Sequence, residues 1–324
     1  MNIKTIFNLT SSVFFKNKPV YVHYSVTHKC NLHCTICNNN CLCPSSTELN
    51  IDEISQLALF LKKRGVGFIS LGGGEPLLRE DIFEIVKIFS EHGIKIQILT
   101  NTIKLSENDI KKLLQIKNFH GLSLSLHSLS EETSLQFYND KKLYKKILEN
   151  IEWISKCLKK NQILLNSAIS PLNVDEIYDI ADFAKKRDLK ISFLPIEHNG
   201  NQSLRFVEND FDKLNAIYDF LINETKHSSH IFNSSNFLKM SKKHQQGVFL
   251  THYCHAGKLY FSINPDGNIA PCHKYHAHTG LNFKDILTAD KNCSDCMRPC
   301  WIEVSLFFIN RKSFFERIKK IVTN

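Results

Sequence analysis

Between residues 20 and 196 short β-rich runs alternate with longer helical ones, and this alternation leaves the chain few architectures. The β-rich runs fall at 20–27, 67–71, 94–100, 121–126, 163–169 and 189–196. Helical patterns fill 51–64, 81–92, 107–116, 143–158 and 174–187. In the first of these, Ile51, Ile54, Leu57, Ala58 and Leu61 share one face of a 3.6-residue period. Asn50 precedes it as an N-cap, and Glu53 makes a loose capping box. Strands alternating with helices imply parallel neighbours, since only a long crossover joins them. The expectation is one parallel sheet with right-handed crossovers, either open or curled into an incomplete barrel. In both arrangements functional side chains gather at the C-terminal ends of the strands.

The cysteines are distributed just as unevenly. The chain has 11 in 324 residues. They lie at 30, 34, 37, 41 and 43, then at 254, 272, 293, 296 and 300, with Cys157 alone in a helical run and read as a small core residue. Residues 1–20 have apolar runs broken by Asn8, Thr10, Ser11 and Ser12, so no signal peptide is expected. Clustered cysteines in such a chain read as metal ligands before disulfides.

Cys30, Cys34 and Cys37 follow directly on the first strand with the spacing C-x3-C-x2-C. A four-iron cluster normally takes four thiolates, so three leave one iron open to a substrate or cofactor. A zinc site remains an alternative from this segment alone, with Cys41 or Cys43 as fourth ligand. The second strand runs into Gly72-Gly73-Gly74-Glu75-Pro76, where glycine permits close backbone approach and proline fixes a turn. The third strand ends in Thr100-Asn101, the fourth in Ser123-Leu124-Ser125-Leu126-His127-Ser128 and the sixth in Phe193-Leu194-Pro195-Ile196.

Taken in order, these strand ends resemble the radical SAM superfamily over about 165 residues. The resemblance implies an incomplete (β/α)6 TIM-like barrel with a small Cys-rich C-terminal appendage. It implies that Cys30, Cys34 and Cys37 hold a [4Fe–4S] cluster whose open iron is chelated by S-adenosylmethionine. Gly73, Gly74, Glu75, Pro76, Asn101, Ser125 and Leu194 become the expected cofactor-binding positions. Two departures stand out: Ile36 replaces the usual aromatic before the third cysteine, and His127 stands where many relatives carry Asp.

The second cysteine set reads Cys254-x12-Gly267-x4-Cys272, followed by Cys293-x2-Cys296-x3-Cys300. Pro265-Asp266-Gly267-Asn268 between apolar runs predicts a hairpin that brings Cys254 and Cys272 together. The pattern resembles the twitch form of the SPASM appendage of radical SAM enzymes. That implies an auxiliary [4Fe–4S] cluster on Cys254, Cys272, Cys293 and Cys296, with Cys300 spare or replacing one of them. A zinc ribbon is the competing reading of the same thiolates. His252, His255, His273, His276 and His278 crowd this region and read as surface residues or as hydrogen-bonding neighbours of a cluster.

The organisation expected is therefore an N-terminal extension at 1–19, a partial barrel at 20–205, a helical connector at 206–250, the auxiliary-cluster region at 251–300 and a basic amphipathic tail at 301–324. In the tail Phe314, Phe315, Ile318, Ile321 and Val322 form a stripe that packs on its own domain or touches a membrane surface. No run approaches the roughly 18 apolar residues of a membrane span. The net charge of +9 is spread over most helices and mixed with acids, so no nucleic-acid partner is expected.

The function expected is a cytoplasmic enzyme that reductively cleaves S-adenosylmethionine to a 5′-deoxyadenosyl radical, fed by a flavodoxin- or ferredoxin-like electron donor. The radical takes hydrogen from an unidentified substrate, either a small or lipid-like molecule or a peptide brought by a separate delivery protein. A non-catalytic metal-binding or electron-transfer protein is the alternative of another class.

Overall fold

The computed structural model describes residues 19–37, 47–197, 201–248, 254–272 and 296–309. Cys41, Cys43, Cys293, His252, His273, His276, His278, the extension before residue 19 and the stripe from Phe314 to Val322 lie outside the described residues. In chain order the elements are β1 (Tyr21–Thr27), α1 (Ile51–Arg64), β2 (Phe68–Gly73), α2 (Ile82–Glu91), β3 (Lys95–Thr100), α3 (Glu107–Leu114) and β4 (Phe119–Ser125). There follow α4 (Glu131–Tyr138), α5 (Leu143–Cys157), β5 (Ile163–Ile169), α6 (Ile177–Lys186), β6 (Lys190–Pro195), α7 (Phe211–His227) and α8 (Ser235–Gln245). β7 (Tyr260–Ile263), β8 (Ile269–Ala270) and α9 (Pro299–Ile309) complete the described chain.

The strands form one open sheet in the order β6-β5-β4-β3-β2-β1-β7-β8. β1 runs parallel to β2, β2 to β3 and β5 to β6. This is the α/β architecture of an incomplete barrel that the alternation predicts, with two further strands. β7 pairs parallel with β1, Tyr21 opposite Tyr260 and Tyr24 opposite Ile263, and β8 returns antiparallel on β7.

Two compact units divide the chain. The first holds β1 to β3, α1 to α3, the start of β4, and β7 with β8. The strand β1 is buried on both faces, with Val22, Tyr24 and Val26 on one side and His23, Ser25 and Thr27 on the other, as expected of a parallel strand inside a covered sheet. α1 begins at a reciprocal capping box. Asn50 Oδ1 accepts the Glu53 N–H at 3.0 Å, and Glu53 Oε2 accepts the Asn50 N–H at 2.8 Å.

The second unit holds the end of β4, α4 to α8, β5, β6 and α9. Leu165, Ile191 and Phe193 of its strands and Leu214, Ile217, Tyr218, Phe237 and Leu238 of its helices are fully buried. The outer edge of β6 is closed from within the chain. Ile191 N–H donates to His230 O at 2.8 Å, Phe232 N–H to Ile191 O at 2.7 Å, and Phe193 N–H to Asn233 Oδ1 at 2.6 Å. A sheet edge so occupied offers no template to another chain.

α4 is a helix that the sequence reading passes over. Ser130 caps it, its Oγ accepting the Thr133 N–H at 3.3 Å, and Asn139 ends it in the left-handed conformation at φ 55°. Cys157 corrects another expectation: it is exposed at the last turn of α5, not a core residue. Among the described residues no helix is long and apolar enough to cross a membrane.

Candidate functional site

The first cysteine stands on a loop that the neighbouring strand end grips through main-chain hydrogen bonds. Gly74 N–H donates to Thr27 O and Glu75 N–H to Lys29 O, each at 2.8 Å. A methyl group on Gly73 would lie 2.3 Å from Thr27 O, and one on Gly74 would lie 2.1 Å from Lys29 O. Gly73 also has φ +116°, which side chains rarely adopt. The glycines expected to admit a ligand thus first admit the backbone that leads to Cys30.

Glu75 is enclosed, and its carboxylate joins two motifs that look separate in the sequence. It accepts the Thr100 hydroxyl at 2.8 Å, the Asn101 N–H at 2.8 Å and the Leu77 N–H at 3.2 Å. Burial pushes this carboxyl above its ordinary range, against those three hydrogen bonds. Pro76 is buried at the start of the single turn Pro76–Leu78. Asn101 in turn donates from Nδ2 to Asn31 Oδ1 at 2.9 Å, and the same nitrogen points at Cys30 Sγ from 4.0 Å.

Arg79 is a residue that sequence reasoning missed, although it follows the glycine turn by three residues. Its guanidinium donates to Val26 O at 2.8 Å, to Leu49 O, and to both oxygens of Asp81. Leu49 also donates its N–H to Pro265 O at 2.9 Å, in the β7–β8 turn. That turn has the expected form, with Gly267 at φ +81°. One buried arginine therefore ties the end of β1 to the segment on which the C-terminal hairpin rests.

In the second unit Cys34 and Cys37 are half-buried and close one turn, Cys37 N–H donating to Cys34 O at 3.0 Å. Thr35 between them docks on the last turn of α4. Its N–H donates to Phe137 O at 2.8 Å and its hydroxyl to Gln136 O at 2.6 Å. These are carbonyls that a helix end leaves unsatisfied. Ser125 is half-buried at the end of β4, and Leu194 is half-buried in β6 opposite Ala168 of β5.

His127 is buried just past β4. Its Nδ1 accepts the Ala168 N–H at 3.1 Å, its carbonyl accepts Asn173 Nδ2 at 3.0 Å, and its ring stacks on Phe137 at 5.4 Å. An imidazole nitrogen that accepts a backbone N–H is unprotonated, and burial lowers the pKa from 6.5 to about 4. Below pH 6.5 the unfolded chain then binds a proton that the folded chain refuses, so stability falls as pH drops. The loss reaches about 3 kcal/mol near pH 4. We expect the difference between the urea midpoints of the protein and of a His127→Asn variant to be constant above pH 6.5 and to change only below it, with the parent losing more.

In the C-terminal set, Cys254 Sγ lies 3.2 Å from Tyr260 Oη at the head of β7. The register that sets Ser262 opposite Ala270 leads, two residues on, to Tyr260 and buried Cys272. In the second unit Cys296 is buried and Cys300 half-buried at the start of α9. Arg298 between them forms a two-pronged pair with Glu197 beyond β6, at 3.2 and 2.9 Å.

Among the described residues no three His, Cys, Asp or Glu side chains gather at the spacing of a single metal ion. An iron–sulfur cluster is held by thiolates bound to different irons rather than converging on one ion. The donor chemistry of Cys30, Cys34 and Cys37 fits such a group: three thiols on one loop, exposed or half-buried, at a strand C-terminus.

The radical SAM superfamily model matches residues 24–184. The PqqA peptide cyclase of Bradyrhizobium diazoefficiens is 23% identical over 288 residues, which cover 83% of this chain and 70% of the relative. The GTP 3′,8-cyclase of Limosilactobacillus fermentum is 29% identical over 208 residues, covering 61% of this chain and 60% of the relative. Among solved structures, SuiB of Streptococcus suis bound to S-adenosylmethionine superposes with a TM-score of 0.66 at 18% identity. That match covers 84% of this chain and 65% of SuiB, and it speaks for the fold. A matched span that runs from β1 to α6 and includes the cysteine loop and the glycine turn places this chain in the radical SAM superfamily, whose members use a [4Fe–4S] cluster and S-adenosylmethionine.

Proposed function

We propose that the protein is an enzyme in which Cys30, Cys34 and Cys37 hold the catalytic cluster and the turn Gly73–Pro76 receives S-adenosylmethionine. The observation that carries this reading is the grip of the glycine turn on the loop, through Gly74 N–H to Thr27 O and Glu75 N–H to Lys29 O. When bound, cluster and cofactor supply reductive cleavage to a 5′-deoxyadenosyl radical, which takes hydrogen from substrate. The chain's own residues do the rest. Glu75 locks the ends of β2 and β3 together, Asn101 reaches toward Cys30, and Thr35 anchors the segment between Cys34 and Cys37. Ser125 and Leu194, at the ends of β4 and β6, are the proposed further contacts to the cofactor.

For the substrate we favour a peptide. The relative covering 83% of this chain is named a peptide cyclase, and SuiB has also been crystallised with its precursor peptide. A small molecule is the second reading, favoured by the nucleotide cyclases matched over the barrel. Cys254, Cys272, Cys293 and Cys296, with Cys300 as spare, are proposed to bind an auxiliary [4Fe–4S] cluster. The proposal includes a flavodoxin- or ferredoxin-like electron donor, a cytoplasmic location and peripheral membrane contact through the tail. Anaerobically reconstituted, reduced protein given S-adenosylmethionine should release 5′-deoxyadenosine. Its absence from protein carrying a full complement of iron would overturn the enzyme reading.

A further inference from the structure

Among the described residues, Thr102 is the one β-branched residue with a left-handed backbone. Its φ is 71°, and it is fully buried two residues beyond β3. Asn139 and Asp188, the other non-glycine residues with positive φ, are of types that adopt it more readily. A threonine does not, and such a residue persists only where its surroundings hold it. What the turn achieves is the aim of the residue before it.

The left-handed step brings Ile103 N–H back to Asn101 Oδ1 at 3.1 Å, while Thr102 N–H reaches Thr100 Oγ1 at 3.0 Å. The main chain of Asn101 is held from the other side, its N–H on Glu75 Oε2 at 2.8 Å. With its oxygen occupied by a backbone donor, the Asn101 amide has one orientation, and its NH2 group faces the cysteine loop. Nδ2 donates to Asn31 Oδ1 at 2.9 Å. The amide carries a second hydrogen, and Cys30 Sγ lies 4.0 Å from the same nitrogen. All of these residues belong to the first compact unit.

We propose that Asn101 donates its second amide hydrogen to Cys30 Sγ when that sulfur is an iron-bound thiolate, and that this bond raises the reduction potential of the cluster. A thiolate is a stronger acceptor than a thiol, and charge-assisted hydrogen bonds are shorter than neutral ones. A hydrogen bond to ligand sulfur disperses the negative charge that reduction adds, and so favours the reduced form. Asn101 is then a positioning residue that acts through Cys30, and the turn at Thr102 keeps it aimed. This inference rests on the proposed assignment of Cys30 as a ligand.

The test is an EPR-monitored redox titration of the reconstituted full chain and its Asn101→Ser variant. Serine keeps a short side-chain oxygen for Ile103 N–H and carries no donor long enough to reach the sulfur. The cluster is identified as the one whose EPR signal changes on adding S-adenosylmethionine, and its midpoint is read without the cofactor. At the potential where half the parent cluster is reduced, the variant should show a reduced-to-oxidised ratio about threefold lower, which is about 30 mV for a one-electron couple. Asn101→Asp keeps Oδ1 for Ile103, replaces the donor by a charged acceptor, and should lower the ratio by about tenfold or more. Where Asn101→Ser holds no cluster, the Asn101→Asp midpoint decides in the same way. Asparagine-selective 15N labelling should show a weak nitrogen coupling to the reduced cluster that shrinks in Asn101→Ser. Asn118→Ser removes an amide that bonds Ser90 just before β4, and its midpoint should match the parent. Equal midpoints for parent and Asn101→Ser, or the same shift in Asn118→Ser, would overturn the inference and leave the cluster assignment standing. A parent in which no cluster signal responds to S-adenosylmethionine would remove the assignment and the inference together.

Discussion

Alanine at Cys30, Cys34 or Cys37 is expected to reduce 5′-deoxyadenosine formation at least a thousandfold, about 4 kcal/mol in activation free energy. Three thiolates leave one iron open for the cofactor, and removing a thiolate leaves a second iron unprotected. Iron content after anaerobic reconstitution should fall from about eight to about four per chain if both proposed clusters fill in the parent. The same substitution at Cys254 or Cys272 should lower iron equally while preserving 5′-deoxyadenosine release, because those thiols flank the C-terminal hairpin and do not lie on the loop after β1. Iron assays paired with chromatographic quantitation of the nucleoside check both halves. Undiminished cleavage in Cys34→Ala would remove that residue from the site.

Gly74→Ala is the second large effect, and its cause is steric. The added carbon would lie 2.1 Å from Lys29 O and 2.6 Å from Lys29 C, both backbone atoms that cannot swing aside. Either the turn after β2 retreats, losing the Gly74 and Glu75 hydrogen bonds, or the loop before Cys30 moves. We expect a cost of about 3 kcal/mol and an apparent melting temperature lower by roughly 5–10 °C. Cluster occupancy should fall with it, since the displaced segment leads straight into Cys30. Gly67→Ala is the control, as nothing lies within 4 Å of its added carbon. Its melting curve should match the parent within about 0.5 kcal/mol.

The alternation of strands and helices was legible because each element satisfies its own periodicity. The helix Ile51–Arg64 and the strand Ile163–Ile169 fall where the pattern places them. α4 was not, because Glu131–Tyr138 has only a weak apolar stripe; Ser130 followed by two glutamates was the available signal. The cysteine loop, the glycine turn and Asn101 were visible as motifs. What joins them was not: Glu75 reaching Thr100, Arg79 reaching Val26 and Leu49, and Thr35 reaching Gln136 are contacts between distant segments. The pairing of β7 with β1 was hidden for the same reason, since each run looks like an ordinary strand and nothing local names its neighbour.

That pairing also fixes an order in time. Tyr21 and Tyr260, which face each other across β1 and β7, are about 240 residues apart in the chain. At about 5–20 residues per second, β7 is synthesised on the order of ten to fifty seconds after β1. Until then Val22 and Tyr24 have no neighbour on that side, and Leu49 lacks the carbonyl of Pro265. The strand that leads to Cys30 is made well before the strand that encloses it, so the frame of the site is finished only after every element between the two exists.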